Sequence, residues 1–338
     1  MNFSNIFPRV RQFGLSRKLP VFRDGFKSDR EVIFIGGCGR SGTTLLRSTI
    51  GASGDVAGGP ELNIHTNLLS TFSKYPFLPK VSFLLFDEIV LAETSEKFDI
   101  PRGELIRIRG VSKCLPDFLD KFFGLLLLRS GKRRVVEKTP KNVTILPFLF
   151  SSFPRSKFIH IIRDGRDVVC SLRNHPRFIP KNGEMIPSGI TNPISKCTKR
   201  WVHDVSAGLL LRKNPQYLEV FYEKLVENPE EELKSVCRFV GIEFTPQMLE
   251  KKSITSGDEK YSTVSANAKG EIEGSRVGRW RKDLSREEAE EFEKMDPFDT
   301  GVIWGTGQGG MWTFESEVMN FAANDQNPRF NPFFVPKF

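Results

Sequence analysis

The segment Glu31-Val-Ile-Phe-Ile-Gly-Gly37 runs as a β-branched and aromatic strand straight into glycines, and Thr43 to Ile50 then reads as a helix. Strand, glycine-rich turn and helix in that order restrict the chain to a few architectures. The plan recurs: Arg134-Val-Val-Glu-Lys138 precedes a helix from Asn142, and Lys157-Phe-Ile-His-Ile-Ile-Arg163 precedes a helix from Gly165 to Arg173. A fourth strand is expected from Tyr217 to Tyr222. Continuously apolar strands alternating with helices predict an α/β fold, a three-layer α/β/α arrangement with a central parallel sheet covered on both faces.

Further helices are expected near 115–130, 195–213 and 229–241, and the Pro- and Gly-containing stretch from Phe178 to Pro193 is long enough to be a lid. With 338 residues and 39% apolar content, the chain can bury one large core. The expected organisation is a basic N-terminal arm (1–30), one domain (31–304) and a Gly- and Phe-rich C-terminal tail (305–338).

A net charge of +9 points to an anionic partner: a phosphorylated nucleotide, an acidic acceptor or an anionic membrane surface. Nucleic acid is not expected, because neither a Cys/His finger spacing nor an aromatic RNP-like stretch occurs. Five scattered cysteines without CxxC pairs read as reduced core thiols, and no metal site is expected. The longest apolar run, Phe122 to Leu128, falls far short of the roughly 20 residues that span a bilayer, so no transmembrane segment is expected. The first 23 residues carry five arginines or lysines and no acid, which fits a solvated basic arm or an organellar targeting peptide. A cytoplasmic location is expected, with an organelle as the alternative, and a homodimer remains open.

Gly37-Cys-Gly-Arg-Ser-Gly42-Thr43-Thr44 has the GxxxxG spacing of a nucleotide-phosphate loop at a helix start. Glycines let successive backbone N–H groups turn inward, and the helix N-terminus adds partial positive charge, so an anion should sit there. The lysine that reaches the β/γ-phosphates of a nucleoside triphosphate is replaced by Thr43, and Arg40 offers the charge instead. Arg163-Asp-Gly-Arg-Asp167-Val-Val-Cys-Ser171 follows an apolar strand, placing Arg163 where α/β sheets present ligands. Arg163 as a fork of donors and Ser171 as a hydroxyl both suit a phosphate.

These motifs, in this order and each at a strand-to-helix junction, resemble the sulfotransferases that use 3′-phosphoadenosine 5′-phosphosulfate (PAPS). Arg40-Ser41-Gly42-Thr43-Thr44 is similar to their 5′-phosphosulfate loop, in the version of the tyrosylprotein and related broad branches. Arg163 and Ser171 fall on the two ligand positions of their 3′-phosphate motif. The resemblance spans roughly residues 31 to 285. It implies the P-loop-like sulfotransferase fold, PAPS as co-substrate with 3′-phosphoadenosine 5′-phosphate (PAP) as product, and no metal.

The resemblance also implies catalytic roles. Glu61, in Gly58-Gly-Pro-Glu61, matches the catalytic Glu of tyrosylprotein sulfotransferases and is expected to be the general base, with His65 in reserve. Asn63 departs from the family, which has Arg there, and this counts against a peptidyl-tyrosine acceptor. Lys138 of Glu137-Lys-Thr-Pro140 resembles the lysine on the leaving-phosphate side, and Tyr222 stands at a position that can touch adenosine. In Gly274-Ser-Arg-Val-Gly278-Arg279-Trp280, similar to the late segment that closes over the nucleotide, Arg279 is the first candidate for the 3′-phosphate and Arg276 the second. His160, mid-strand, reads as a core histidine.

The acceptor is expected to carry a hydroxyl on a carbohydrate, lipid, tyrosine or small metabolite. Two other readings stand: a P-loop small-molecule kinase, which needs a Lys after Gly42 and a Mg²⁺-holding carboxylate, and a non-catalytic anion- or nucleotide-binding module.

Overall fold

The computed structural model describes residues 26–64, 91–175, 178–181, 184–187, 191–250 and 276–293. Five parallel strands form its centre: β1 (Val32–Gly36), β2 (Val56–Gly58), β3 (Arg134–Lys138), β4 (Lys157–Ile162) and β7 (Tyr217–Phe221), in the order β2-β3-β1-β4-β7. The register pairs Ile33 with both Val136 and Lys157, so β1 lies between β3 and β4.

Period-two geometry divides the strand side chains between two cores. Val32, Phe34, Val135 and Phe158 face α4 (Leu115–Ser130) and α5 (Leu146–Ser152), packing with Phe118, Phe122, Phe123 and Phe153. Ile33, Ile35, Val136, Ile159 and Ile161 face α1 (Thr43–Gly51) and α9 (Pro229–Val240), with Leu46, Ile50, Leu233 and Val236. Both faces are thus dry, which explains why the strands read as unbroken apolar runs. Helix α9 starts on Pro229, where a missing N–H costs nothing, and Glu230 to Glu232 in its first turn oppose the helix dipole.

A third apolar cluster joins α6 (Gly165–Arg173), α7 (Ile194–Leu209) and α11 (Arg286–Glu293) through Val168, Val169, Trp201 and Phe292. The remaining described helices are α2 (Leu91–Phe98), α3 (Arg102–Val111), α8 (Tyr222–Glu227) and α10 (Trp280–Asp283).

The sequence-predicted elements differ from the structure in five places, one of them the helix expected over 195–213, which ends at Leu209. The helix expected from Asn142 is a 3₁₀ turn, Pro140–Thr144, followed by α5, because Pro147 suits a fresh helix start. The fourth strand stops at Phe221, and Tyr222 opens α8. The stretch expected to be a loop, Phe178 to Pro193, contains an antiparallel pair, β5 (Phe178–Lys181) and β6 (Glu184–Pro187). The short edge strand β2 carries no pattern long enough to be read from sequence. The basic segment of the first 23 residues, the tail 305–338 and His65 lie outside the described residues. All five cysteines are free and buried. No helix among the described residues is long and apolar enough to cross a membrane.

Candidate active site

Because all five central strands run parallel, their carboxyl ends share one edge of the sheet. The turn 37–42 follows β1, Glu61 follows β2, Lys138 ends β3, Arg163 follows β4 and Tyr222 follows β7. Topology therefore gathers residues scattered over some 180 positions of the chain into one crevice.

The glycine-rich turn has the backbone that a phosphate cradle requires. Gly42 caps α1 in the left-handed region with φ 95°, and an added Cβ would lie 2.6 Å from the Tyr222 ring. Arg40 also holds a positive φ, 78°, a conformation that costs a non-glycine residue free energy and concentrates at functional sites. Its guanidinium donates from Nε to Ser171 Oγ at 2.9 Å.

Arg163 is nearly buried beside it. Its Nη1 donates to the Arg40 carbonyl at 3.4 Å, its Nη2 to the Arg276 carbonyl at 2.5 Å, and its guanidinium lies over the Tyr222 ring at 4.3 Å. Desolvation, followed by the charges of Arg276, Arg163 and Arg279, lowers the pKa of Arg40 from its ordinary range, with Glu61 pulling the other way. Four cations thus crowd one cavity. Cations at such density call for an anion.

A second group of polar atoms points to the same conclusion. Ser41 Oγ, Ser48 Oγ and Arg163 Nε are buried and find no hydrogen-bond partner among the described residues. Buried donors are normally satisfied; Ser41 belongs to the cradle and Arg163 stands beside it, so the residues present fit a bound phosphorylated ligand.

Lys138 sits at the other end of the crevice. Its side chain is 4% exposed, and its Nζ donates to Thr44 Oγ1 at 3.2 Å and to Glu61 Oε1 at 2.5 Å. Burial pushes the Glu61 carboxyl up, but the Lys138 charge and hydrogen bond, then Lys97 and Asn63, outweigh it and leave the group below its usual pKa. Glu61 is 37% exposed, so it keeps access to a molecule entering from solvent.

Two buried charged residues that the sequence motifs did not single out hold this segment. Arg47 of α1 donates from Nη1 to the Gly59 carbonyl at 2.8 Å. Glu137 accepts from Thr139 Oγ1 and from Asn142 Nδ2, each at 2.6 Å, and from the Leu62 N–H at 3.4 Å. Arg47 follows Leu45-Leu46 and Glu137 follows Val135-Val136, and a charge directly after an apolar pair in a buried element is the only sequence signal either offers. Arg200 of α7 was also missed: its Nη2 would stand 3.2 Å from a Cβ built on Gly39, at the mouth of the turn.

The structure brings Arg40, Ser41, Gly42, Thr43, Thr44, Glu61, Lys138, Arg163, Ser171 and Tyr222 to one edge. Arg279 contributes its charge to Arg40 while donating from Nε to Asp283 at 2.6 Å. His160 is fully buried behind the turn, near Tyr217 Oη at 2.5 Å, and desolvation lowers its pKa to about 3. Among the described residues no three His, Cys, Asp or Glu side chains are grouped to hold a metal ion.

Comparison with known proteins identifies the family. The family model described as "Sulfotransferase family" matches residues 32–246. A putative protein-tyrosine sulfotransferase of Caenorhabditis briggsae is 26% identical over 277 residues, covering 79% of this chain and 87% of that protein. Protein-tyrosine sulfotransferase A of Caenorhabditis elegans is 25% identical over 71% of this chain, and there the match spans only 58% of the relative's length. The sulfotransferase domain of the Synechococcus PCC 7002 olefin synthase superposes with a TM-score of 0.54 at 18% identity, over 82% of this chain and 98% of that domain, which shows a shared fold. The family match covers more than half of the chain and includes every strand of the central sheet, and the chain therefore belongs to the sulfotransferase family.

Proposed function

We propose that the chain transfers a sulfuryl group from PAPS to a hydroxyl acceptor, with Glu61 as general base. One observation carries this reading: a single ammonium group, Lys138 Nζ, links the phosphate-loop hydroxyl of Thr44 to the Glu61 carboxylate. A base for the acceptor and the cradle for a donor's phosphate are thereby held within one side chain of each other.

Bound PAPS supplies the sulfuryl group: a bond from the acceptor oxygen to sulfur forms as the bond from sulfur to the 5′-phosphate oxygen breaks. Glu61, kept ionised by Lys138, receives the acceptor's proton. Lys138, and Arg40 with the N–H groups of Ser41 to Thr44, meet the charge that gathers on the phosphate side. Arg163, Ser171 and Arg279 hold the 3′-phosphate, and the Tyr222 ring, already stacked on Arg163, is available to the adenosine. No metal is needed for this division of labour, because guanidinium, ammonium and backbone donors supply the positive charge.

The relatives named protein-tyrosine sulfotransferases make a tyrosine hydroxyl one candidate acceptor. Carbohydrate, lipid and small-metabolite hydroxyls meet the same chemical requirement. A magnesium-dependent kinase is the competing reading, and Thr43 in place of the P-loop lysine argues against it. Thermal melting separates the two. PAP without magnesium should raise the Tm, and ATP with magnesium should raise it far less; the opposite ranking favours the kinase.

A further inference from the structure

Asp167, in the first turn of α6, is fully buried. An acid there could merely oppose the helix dipole, but its contacts assign it more. Oδ2 accepts the Gly278 N–H at 2.8 Å, Oδ1 accepts the Trp280 N–H at 3.0 Å, and Oδ2 lies 3.5 Å from Arg163 Nη2. One carboxylate therefore fastens a segment more than 100 residues away to the phosphate-facing arginine.

The segment is shaped for that fastening. Gly278 takes a left-handed φ of 71°, which bends the chain so that two of its N–H groups meet one carboxyl. Arg163 Nη2 also donates to the Arg276 carbonyl at 2.5 Å. The guanidinium groups of Arg166 and Arg281 lie 4.1 Å and 4.9 Å from the centre of the Trp280 ring. Arg276 and Arg279, carried by this segment, add their charges to the cavity of Arg40 and Arg163.

We infer that Asp167 is a positioning residue that docks segment 276–281 against Arg163, so that a nucleotide's 3′-phosphate meets cations from two distant parts of the chain. The inference rests on the PAPS reading for the identity of the ligand. A carboxylate fits because each of its two oxygens accepts one of these N–H groups while its negative charge faces a guanidinium. An amide presents one acceptor and turns its NH₂ toward a backbone donor.

The test uses the full-length protein, with PAP and adenosine 5′-phosphate (AMP) titrated by calorimetry against wild type, Asp167→Asn, and Arg276→Ala with Arg279→Ala. AMP lacks the 3′-phosphate and serves as the internal control. Asp167→Asn should weaken PAP binding by about tenfold, while AMP binding changes by less than about twofold. Equal losses for both nucleotides, or no loss for PAP, would overturn the assignment. Combining Asp167→Asn with the two alanines should add little further loss, whereas full additivity would show that Asp167 does not act through this segment. If Asp167→Asn does not fold, the two-alanine variant, whose changes lie at partly exposed side chains, must show the PAP-selective loss by itself; without it the inference fails. Wild type that ignores PAP altogether refutes the nucleotide reading instead.

Discussion

Arg40 Nε donates to Ser171 Oγ at 2.9 Å, although 131 positions separate the two residues. The glycine-rich turn after β1 and the first helix after β4 therefore form one cavity wall. A bisphosphorylated ligand can bridge them only because they are this close, and the arginines on both sides leave a concentration of positive charge that water screens poorly in a partly buried site.

Replacing Ser171 by Ala, or Arg163 by Ala, should weaken PAP affinity by about tenfold or more, with the larger effect at Arg163 because a charged donor to phosphate is lost. Isothermal titration measures this, and unchanged affinity at Arg163 would remove it from the ligand set.

Glu61→Gln keeps the size and one acceptor oxygen but cannot take a proton at neutral pH. Sulfate transfer from labelled donor should fall by about a hundredfold or more, and PAP affinity should remain within about twofold. Surviving turnover would mean that another group is the base.

The Glu61 carboxyl is held below its ordinary pKa mainly by Lys138 acting against burial. If Glu61 is the base, activity is lost only when pH falls through that lowered value. Lys138→Ala removes the largest lowering influence and leaves burial opposed only by Lys97 and Asn63, so the acid limb of the kcat/KM profile should move to higher pH, in addition to any fall in rate. An acid limb that stays in place would show that a group other than Glu61 titrates there.

Gly42→Ala places a methyl group 2.6 Å from the Tyr222 ring and forces alanine to φ 95°. A destabilisation of about 2 kcal/mol is expected, seen as a lower Tm, together with weaker PAP binding as the ring and loop shift.

His160, with its pKa lowered to about 3 by burial, is neutral in the folded protein where an unfolded chain would be protonated. The folded state therefore binds fewer protons than the unfolded state between pH 6.5 and 3, and the stability present above pH 6.5 declines through that window by up to about 1.4 kcal/mol per pH unit. His160→Gln, neutral at every pH, should give a shallower fall of Tm with acidification, which thermal melts across this range will measure.

Much of this was legible in the chain. The limits of α6, Gly165–Arg173, and of β3, Arg134–Lys138, follow from apolar runs ended by glycine or charge, because burying a parallel strand on both faces leaves a local composition signature. Arg40, Lys138 and Arg163 could be picked out because each follows or ends a strand of that kind; Glu61 follows β2, which is too short to read, and stood out only by its resemblance to the catalytic Glu of tyrosylprotein sulfotransferases. Residues that act through contacts between segments left no such trace. Arg47 and Glu137 look like stray charges until the fold turns them toward the backbone that carries Glu61. Asp167 looks like a helix-start acid until segment 276–281 meets it. Local sequence encodes strands, turns and anion loops because these depend on neighbouring residues and on hydrophobic period. Which distant cations share a cavity, and which buried carboxylate holds them there, is decided only when the sheet closes and desolvation makes each unpaired polar group costly enough to demand its partner.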